Sequence, residues 1–301
     1  MFFLLFNIFF SSCFILCVKW VQRHRKMDIV TVGSINYIAA AFCAVPGCVC
    51  SEFSPLAIHA IWTGATMGVC YFIAFFFLIF AVRWIGASNS AAVSRVSLVI
   101  PVCAGIGLWG EVPDFFQVLG IVTAFASLFL IGRSRTDPNP EIPGNTNENP
   151  AAQRWVLWVL GAFFLVCGTA RLAQQACQQL CEGATDYPAF LLAAFCFAAV
   201  PSFAVLLWRY RGISRGELWV GVILGLTNIL QSHYILRSLD LYDGFLVFTV
   251  TNTGGLIFTT GIAVFGFKER INRQSLVGIG LASLSIIFLQ APLGRFVFGN
   301  S

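Results

Sequence analysis

Residues 86–131 read GASNSAAVSRVSLVIPVCAGIGLWGEVPDFFQVLGIVTAFASLFLI, and residues 244–289 read GFLVFTVTNTGGLIFTTGIAVFGFKERINRQSLVGIGLASLSIIFL. Displaced by 158 residues, the two stretches align without a gap. Seven of the 46 positions are identical: Gly86/Gly244, Leu98/Leu256, Glu111/Glu269, Gly120/Gly278, Ile121/Ile279, Ala124/Ala282 and Ser127/Ser285. Their placement says more than their number. A glycine opens the first apolar run of each stretch, a glutamate lies in the turn after it, and small residues mark the run that follows. Asp114 and Asn272 align where each can cap the next helix, and Gln117 completes a capping-box spacing after Asp114. The chain carries an internal duplication.

Around these stretches the composition is that of a membrane protein. Of the 301 residues, 58% are hydrophobic and 10% charged, against about 25% charged in a soluble globular chain. A soluble enzyme, a secreted disulfide scaffold and a nucleic-acid-binding module are excluded as main readings. Apolar runs between polar punctuation fall at about 1–22, 29–50, 56–82, 87–109, 114–132, 154–180, 187–208, 216–238, 243–266 and 273–293. Each is long enough for a helix to cross a hydrocarbon core about 30 Å thick. The first run starts without a basic n-region and no small-residue cleavage site follows, so it is expected to be a retained span. Residues 133–153, with Pro138, Pro140, Pro143 and Pro150 and several Asn, form a polar linker with no packed core. The expected organisation is a five-helix repeat over 1–132, the linker, a second five-helix repeat over 154–293 and a short tail over 294–301. With five spans per arm, the second arm enters the membrane from the opposite side. The fold class is therefore an all-α membrane protein of ten transmembrane helices arranged as two inverted repeats, an architecture of secondary transporters.

The pattern Gly110-Glu111…Gln117-x2-Gly120, and its counterpart Glu269…Ser275-x2-Gly278, resembles the end of each EamA-type repeat in the drug/metabolite transporter superfamily. The resemblance implies ten helices in two inverted halves around a central cavity lined by the first four helices of each half. It also implies transport of a small molecule by alternating access. No FYNN-like or GALNK-like stretch of nucleotide-sugar relatives is present, which lowers that substrate class.

An ionisable side chain in the middle of a span costs about 2.5–3.5 kcal/mol on insertion scales, and so marks a functional candidate. Arg95 is the charged residue well inside a run, with Ser94 and Ser97 beside it and Ser88, Asn89 and Ser90 earlier on the same polar course. Facing a cavity, its planar fork suits a carboxylate or phosphate; the alternative is a guanidinium that snorkels or pairs with a neighbouring carbonyl. Its repeat counterpart is Thr253, beside Asn252, Thr251 and Thr249. Arg171, Gln174, Gln175 and Gln178 share one helix face, which is either a cavity wall near its mouth or an interfacial end. Thr227, Asn228, Gln231, Ser232, His233 and Tyr234 form a similar cluster, with His233 read as a packing residue. Asn36, Ser34, Tyr37, Thr66 and Tyr71 rank second, because an isolated Asn or Tyr more often bridges helices than binds a ligand. Trp62, Trp84, Trp109, Trp155, Trp158, Trp208 and Trp219 lie near run ends, as interfacial anchors do.

The expected function is secondary transport of a small polar metabolite bearing a carboxylate or other anionic group, such as an amino acid or organic acid. A non-transporting scaffold with the same fold is the alternative. Catalysis is not expected: Tyr242-Asp243 lacks a Gly-x-Gly-Asp partner, and no Gly-x-Ser-x-Gly or His-Glu-x-x-His occurs. No cofactor, metal or nucleic acid is expected, and the partners are the solute and the bilayer. The eleven Cys lie almost entirely in apolar runs as packing residues. Residues 1–22 hold no acid, so the proton-switching Glu of small multidrug relatives is missing. Connections after the odd runs hold 14 Lys and Arg, against Arg237 and Arg295 on the other face, which places those connections in the cytoplasm of a cell-membrane protein.

Overall fold

A computed structural model describes residues 2–23, 27–49, 57–108, 114–133, 150–181, 185–209, 212–242, 244–269 and 271–290. Among the described residues the fold is all-helical: α1 (Phe2–Arg23), α2 (Ile29–Val49), α3 (Ala57–Val96), α4 (Val99–Leu108), α5 (Phe115–Arg133), α6 (Pro150–Leu180), α7 (Tyr187–Arg209), α8 (Arg215–Leu241), α9 (Gly244–Phe265) and α10 (Arg273–Gln290). Six stretches are long and apolar enough to cross a membrane, and Phe115–Ile131, Val250–Phe265 and Arg273–Leu289 are shorter apolar helices. Helix α6 begins at Pro150 rather than 154, with the proline at the first helical position, where its missing N–H costs nothing. The rest of the expected linker (134–149), Glu111 and the tail lie outside the described residues.

The apolar stretch Ala57–Ala104 has 48 residues, about 72 Å of helix, too long for one span of a core about 30 Å thick. Gly86 divides it, with φ 83° and ψ 169°, a conformation that side chains with a Cβ rarely adopt. The break strands backbone carbonyls, which local side chains take up: Asn89 Nδ2 donates to Ile85 O at 2.9 Å and Ser90 Oγ to Gly86 O at 2.7 Å. Asn89 Nδ2 also reaches Ser275 Oγ at 3.0 Å, and Ser88 Oγ donates to Glu269 Oε2 at 3.3 Å. Asn89 and Ser90 of the expected polar course are thus occupied at the Gly86 break, and Ser88 by Glu269. The fourth run is interrupted again at Ser97–Leu98. Pro101 has no N–H for the Ser97 carbonyl, which accepts instead from Ile100 N at 3.0 Å.

The chain forms two compact units, each built from pieces of both arms: Met1–Phe76 with Thr169–Asp243, and Phe77–Gly168 with Gly244–Ser301. In the first unit, α2 packs on α7 and α8, and α8 also packs on α1. Two Gly-x3-Gly pairs let backbones touch. A Cβ on Gly64 or Gly68 would lie 2.5 Å from Phe190 O or 2.1 Å from Ala194 O. One on Gly221 or Gly225 would lie 2.6 Å from Ile35 Cβ or 2.7 Å from Asn36 O. Both numbers rise together along each pair, so α3 runs parallel to α7 and α8 parallel to α2. The α1/α8 seam holds Val21 and Leu224, with Val32 of α2 beside them and Phe14, Trp20 and Val220 packed on the three. At the other end of that seam Asn7 meets Gln231, so α1 and α8 are antiparallel.

In the second unit α5 and α10 pair closely. Ser127 Oγ donates to Gly278 O at 2.8 Å, and Ser285 Oγ donates to Gly120 O at 2.8 Å. A Cβ on Gly120 would meet Leu289, and one on Gly278 would meet Ile131. Every partner in one contact is the residue 158 positions from its counterpart in the other. As the α5 number rises the α10 number falls, so the helices are antiparallel and related by a local two-fold axis. Gln117 Oε1 accepts from Asp114 N at 3.1 Å, as the capping-box spacing requires.

Candidate functional site

In the first unit the close approach of α2 and α8 at Gly221 and Gly225 brings amides together. Asn228 and Gln231 stand three residues apart on one face of α8, and Gln231 Nε2 donates to Asn228 Oδ1 at 2.9 Å. Asn228 Nδ2 donates across to Asn36 Oδ1 on α2 at 3.4 Å. Asn7 on α1 donates to the Gln231 carbonyl at 2.7 Å. Asn36, Asn228 and Asn7 are 0%, 3% and 5% exposed, so these amides are held away from the surface. Asn36 Nδ2 is buried and meets no acceptor among the described residues. A buried donor left so costs about 1–3 kcal/mol. Three of these residues stand among the sequence candidates; for Asn7 the sequence offers only a lone amide in an apolar run.

Tyr37 Oη donates to the Tyr71 carbonyl at 2.8 Å, tying α2 to α3 beside this group. Tyr234 stacks near Phe3, Phe6 and Phe10 with ring centroids 5.9, 5.4 and 5.9 Å away, while His233 is exposed. Gln174 and Gln178 are half-buried on α6, and Gln178 Nε2 is buried with no acceptor among the described residues.

The second unit holds the remaining candidates. Arg95 is 6% exposed, and its Nη1 donates to the Thr251 carbonyl at 2.9 Å. The guanidinium lies flat against Gly255, where a Cβ would sit 2.2 Å from Nη2 and 2.4 Å from Cζ. This is the carbonyl-paired arrangement that the sequence leaves open beside the cavity-facing one. Ser94 is half-buried and its carbonyl accepts from Ser97 Oγ at 2.6 Å. Asn252 turns back on its own helix, donating to Phe248 O at 2.8 Å, and the Thr253 hydroxyl is buried with no partner among the described residues. Of the repeat markers, Gly86 makes the break, Glu269 accepts from Ser88, Gly120 and Gly278 form the α5/α10 seam, and Gly244 starts α9.

Charges at one end of the first unit, expected only to mark topology, have structural partners. Ser214 and Glu217 form a capping box on α8, and the fully buried Glu217 also accepts from Asp28 N at 2.7 Å. Asp28 caps α2, accepting from Thr31 N at 3.1 Å and Thr31 Oγ1 at 2.7 Å, and pairs with Arg209. Burial pushes its carboxyl up, but the hydrogen bonds from Thr31 and Arg209 outweigh this and hold it below the usual carboxylate value. Among the described residues no cluster of three or more His, Cys, Asp or Glu could hold a metal ion.

Residues 1–133 match the EamA-like transporter family. An uncharacterized protein of Haemophilus influenzae is 25% identical over 219 residues, which cover 72% of this chain and 70% of that protein. With its apolar helices, the chain is an integral, multi-pass membrane protein.

Proposed function

From an EamA-like transporter domain over residues 1–133, we propose that the whole chain is a secondary transporter of ten spans in two inverted repeats. It carries a small polar metabolite with a carboxylate, such as an amino acid or organic acid, by alternating access. The observation that carries this reading is the reciprocal α5/α10 seam, in which Ser127–Gly278 and Ser285–Gly120 exchange counterparts about a local two-fold axis. Helix directions agree with it. If every run crosses once, runs of like parity are parallel and runs of unlike parity antiparallel. The third and seventh runs are parallel, as are the second and eighth; the fifth and tenth are antiparallel, as are the first and eighth. The two Gly-x3-Gly pairs extend the duplication, since Gly64 and Gly68 stand 157 residues before Gly221 and Gly225. A duplicated chain of this kind has two packings related by exchange of its halves, and a solute site between such states opens to each side in turn. The candidate solute groups are Asn36, Tyr71, Gln174, Gln178, Asn228 and Gln231 in the first unit and Ser94, Arg95, Asn252 and Thr253 in the second. The chain acts as a carrier rather than an enzyme. The connections after odd runs face the cytoplasm; labelling of a cysteine placed in the linker from outside intact cells would overturn that orientation.

The test is uptake into proteoliposomes containing the purified full chain, across a panel of radiolabelled amino acids, organic acids, sugars and nucleosides. Saturable uptake of at least one solute, absent from protein-free liposomes, is expected. No uptake of any panel member refutes transport.

A further inference from the structure

The last turn of α6 carries two thiols in contact. Cys177 and Cys181 stand one helical turn apart, and their sulfurs lie 3.6 Å from each other. Both are free cysteines. Cys181 follows the last residue of α6, yet its N–H still donates to the Cys177 carbonyl at 3.0 Å, so helical spacing holds between them. Cys177 is 1% exposed and Cys181 half-buried, so the pair is reached from the Cys181 side. Thr63 of α3 stands beside Cys177, and the buried Asp186, just before α7, acts on both sulfurs through space.

The helix decides what two such thiols can do together. Side chains at i and i+4 have Cβ atoms about 5–6 Å apart, whereas a disulfide needs about 3.5–4.5 Å. A disulfide between them therefore requires the last turn to unwind, but an atom bridging the two sulfurs does not. Bonds to sulfur of about 2.3 Å that meet at about 100–110° hold their sulfurs about 3.5–3.8 Å apart. That is the separation present. A linear two-coordinate ion such as Cu(I) would need about 4.6 Å at the same bond length. Zinc takes three or four protein ligands, and among the described residues no third His, Cys, Asp or Glu completes such a set. The fitting partner is an element of pyramidal bonding that takes two sulfurs and brings its own third substituent. Trivalent arsenic with one organic group is such an element, with bonds to sulfur of similar length.

We propose that Cys177 and Cys181 form a chelating dithiol site for a monosubstituted trivalent arsenical, RAs=O. The accessible Cys181 sulfur bonds to arsenic first, and its proton passes to the arsenical oxygen. The Cys177 sulfur then bonds to arsenic, its proton joins the same oxygen, and the As–O bond breaks to release water. Two As–S bonds form, arsenic keeps its oxidation state and no other reactant is consumed. Because the second step is intramolecular and its sulfur is already in place, it outcompetes a free monothiol.

The experiment treats the purified, reduced full chain in detergent with equimolar phenylarsine oxide, washes it with excess monothiol, and reads intact mass and a peptide map. Wild-type protein is expected to retain the mass of one phenylarsenic group less two hydrogens, mapped to the α6 segment that holds both cysteines. A small dithiol should remove it. Cys177→Ser and Cys181→Ser each leave one thiol at the site and should retain at least about 10-fold less adduct after the same wash, with melting temperature little changed. An adduct mapped elsewhere in place of α6, for instance to Cys13 and Cys17 with the same spacing on α1, overturns the proposal, and that readout needs no variant. No retained adduct in the wild type overturns it as well, as does full retention in both serine variants.

Discussion

Gly255→Ala should destabilise the protein, although replacing a helical glycine by alanine ordinarily stabilises a helix by about 1 kcal/mol. The new Cβ would lie 2.2, 2.4 and 2.5 Å from Nη2, Cζ and Nη1 of Arg95. Ordinary contact begins near 3.4 Å, so the guanidinium must move by about 1 Å or more. Its Nη1 is 2.9 Å from the Thr251 carbonyl, and a shift of that size takes the pair beyond hydrogen-bonding distance. A buried charge-assisted bond contributes about 1.5–3 kcal/mol, so the net effect is a loss of about 0.5–2 kcal/mol after the helical gain. The sign must reverse when the guanidinium is removed: in an Arg95→Ala background, Gly255→Ala should stabilise. The assay is a double-mutant cycle on thermal or denaturant unfolding of detergent-solubilised protein, with an expected coupling of about 1.5–3 kcal/mol. Gly255→Ala stabilising in both backgrounds would refute the placement of Arg95 against α9. The same variants address its role in binding: solute affinity unchanged in Arg95→Gln assigns the guanidinium to packing, and a 10- to 100-fold loss with stability retained assigns it to an anionic group.

Ser127→Ala and Ser285→Ala should each cost about 0.5–1.5 kcal/mol and, being counterparts, the same amount within a few tenths; a cost at one site alone would contradict the reciprocal seam. Gly68→Ala places a Cβ 2.1 Å from a backbone oxygen and should lower stability by about 1–3 kcal/mol, whereas Gly161→Ala meets nothing within 4 Å and should be neutral or stabilising, as unfolding midpoints would show. Asp28→Asn should lower the melting temperature at neutral pH. Because the folded carboxyl titrates below its unfolded value of about 3.9, its contribution is present above that pH and is lost as pH falls through the folded value. The gap between wild type and Asp28→Asn should therefore close on acidification below about pH 4, and a gap that persists there would exclude the ion-paired, capped carboxylate as its source.

Each part of the architecture was legible to the degree that its physics is local in sequence. Helix positions follow from apolar length, and among the described residues each of the ten runs is helical, because a chain in hydrocarbon must satisfy its backbone within itself. The duplication could be read over 86–131 and 244–289 because no gap intervenes there. Its continuation to Gly64/Gly68 and Gly221/Gly225 is displaced by 157 rather than 158 residues, and an ungapped comparison passes over it. The capping box of α8 was present as Ser214-x2-Glu217, a readable signal, but nothing local tells that Glu217 also holds the amide of Asp28. Long-range polar partners were the least legible. Arg95 stands out as a charge in a span, yet its partner is a backbone carbonyl, which every residue carries, and the glycine that admits it looks like any other in α9.

The amide cluster shows why single-residue ranking falls short at such a site. Asn36 alone reads as a helix bridge, and Asn228 and Gln231 as one polar face among several. Only the approach of α2 to α8, imposed by two glycines, sets Asn36 Oδ1 within reach of Asn228 and leaves Nδ2 as the end of the chain. The small residues that let the backbones touch and the amides that the approach aligns are therefore one device. Gly225→Ala, whose Cβ would lie 2.7 Å from Asn36 O, should loosen the amide chain and lower stability by about 1–3 kcal/mol. Unfolding midpoints of Gly225→Ala beside Gly161→Ala, whose Cβ meets nothing within 4 Å, test that link, and an unchanged midpoint in Gly225→Ala would separate the glycines from the amides.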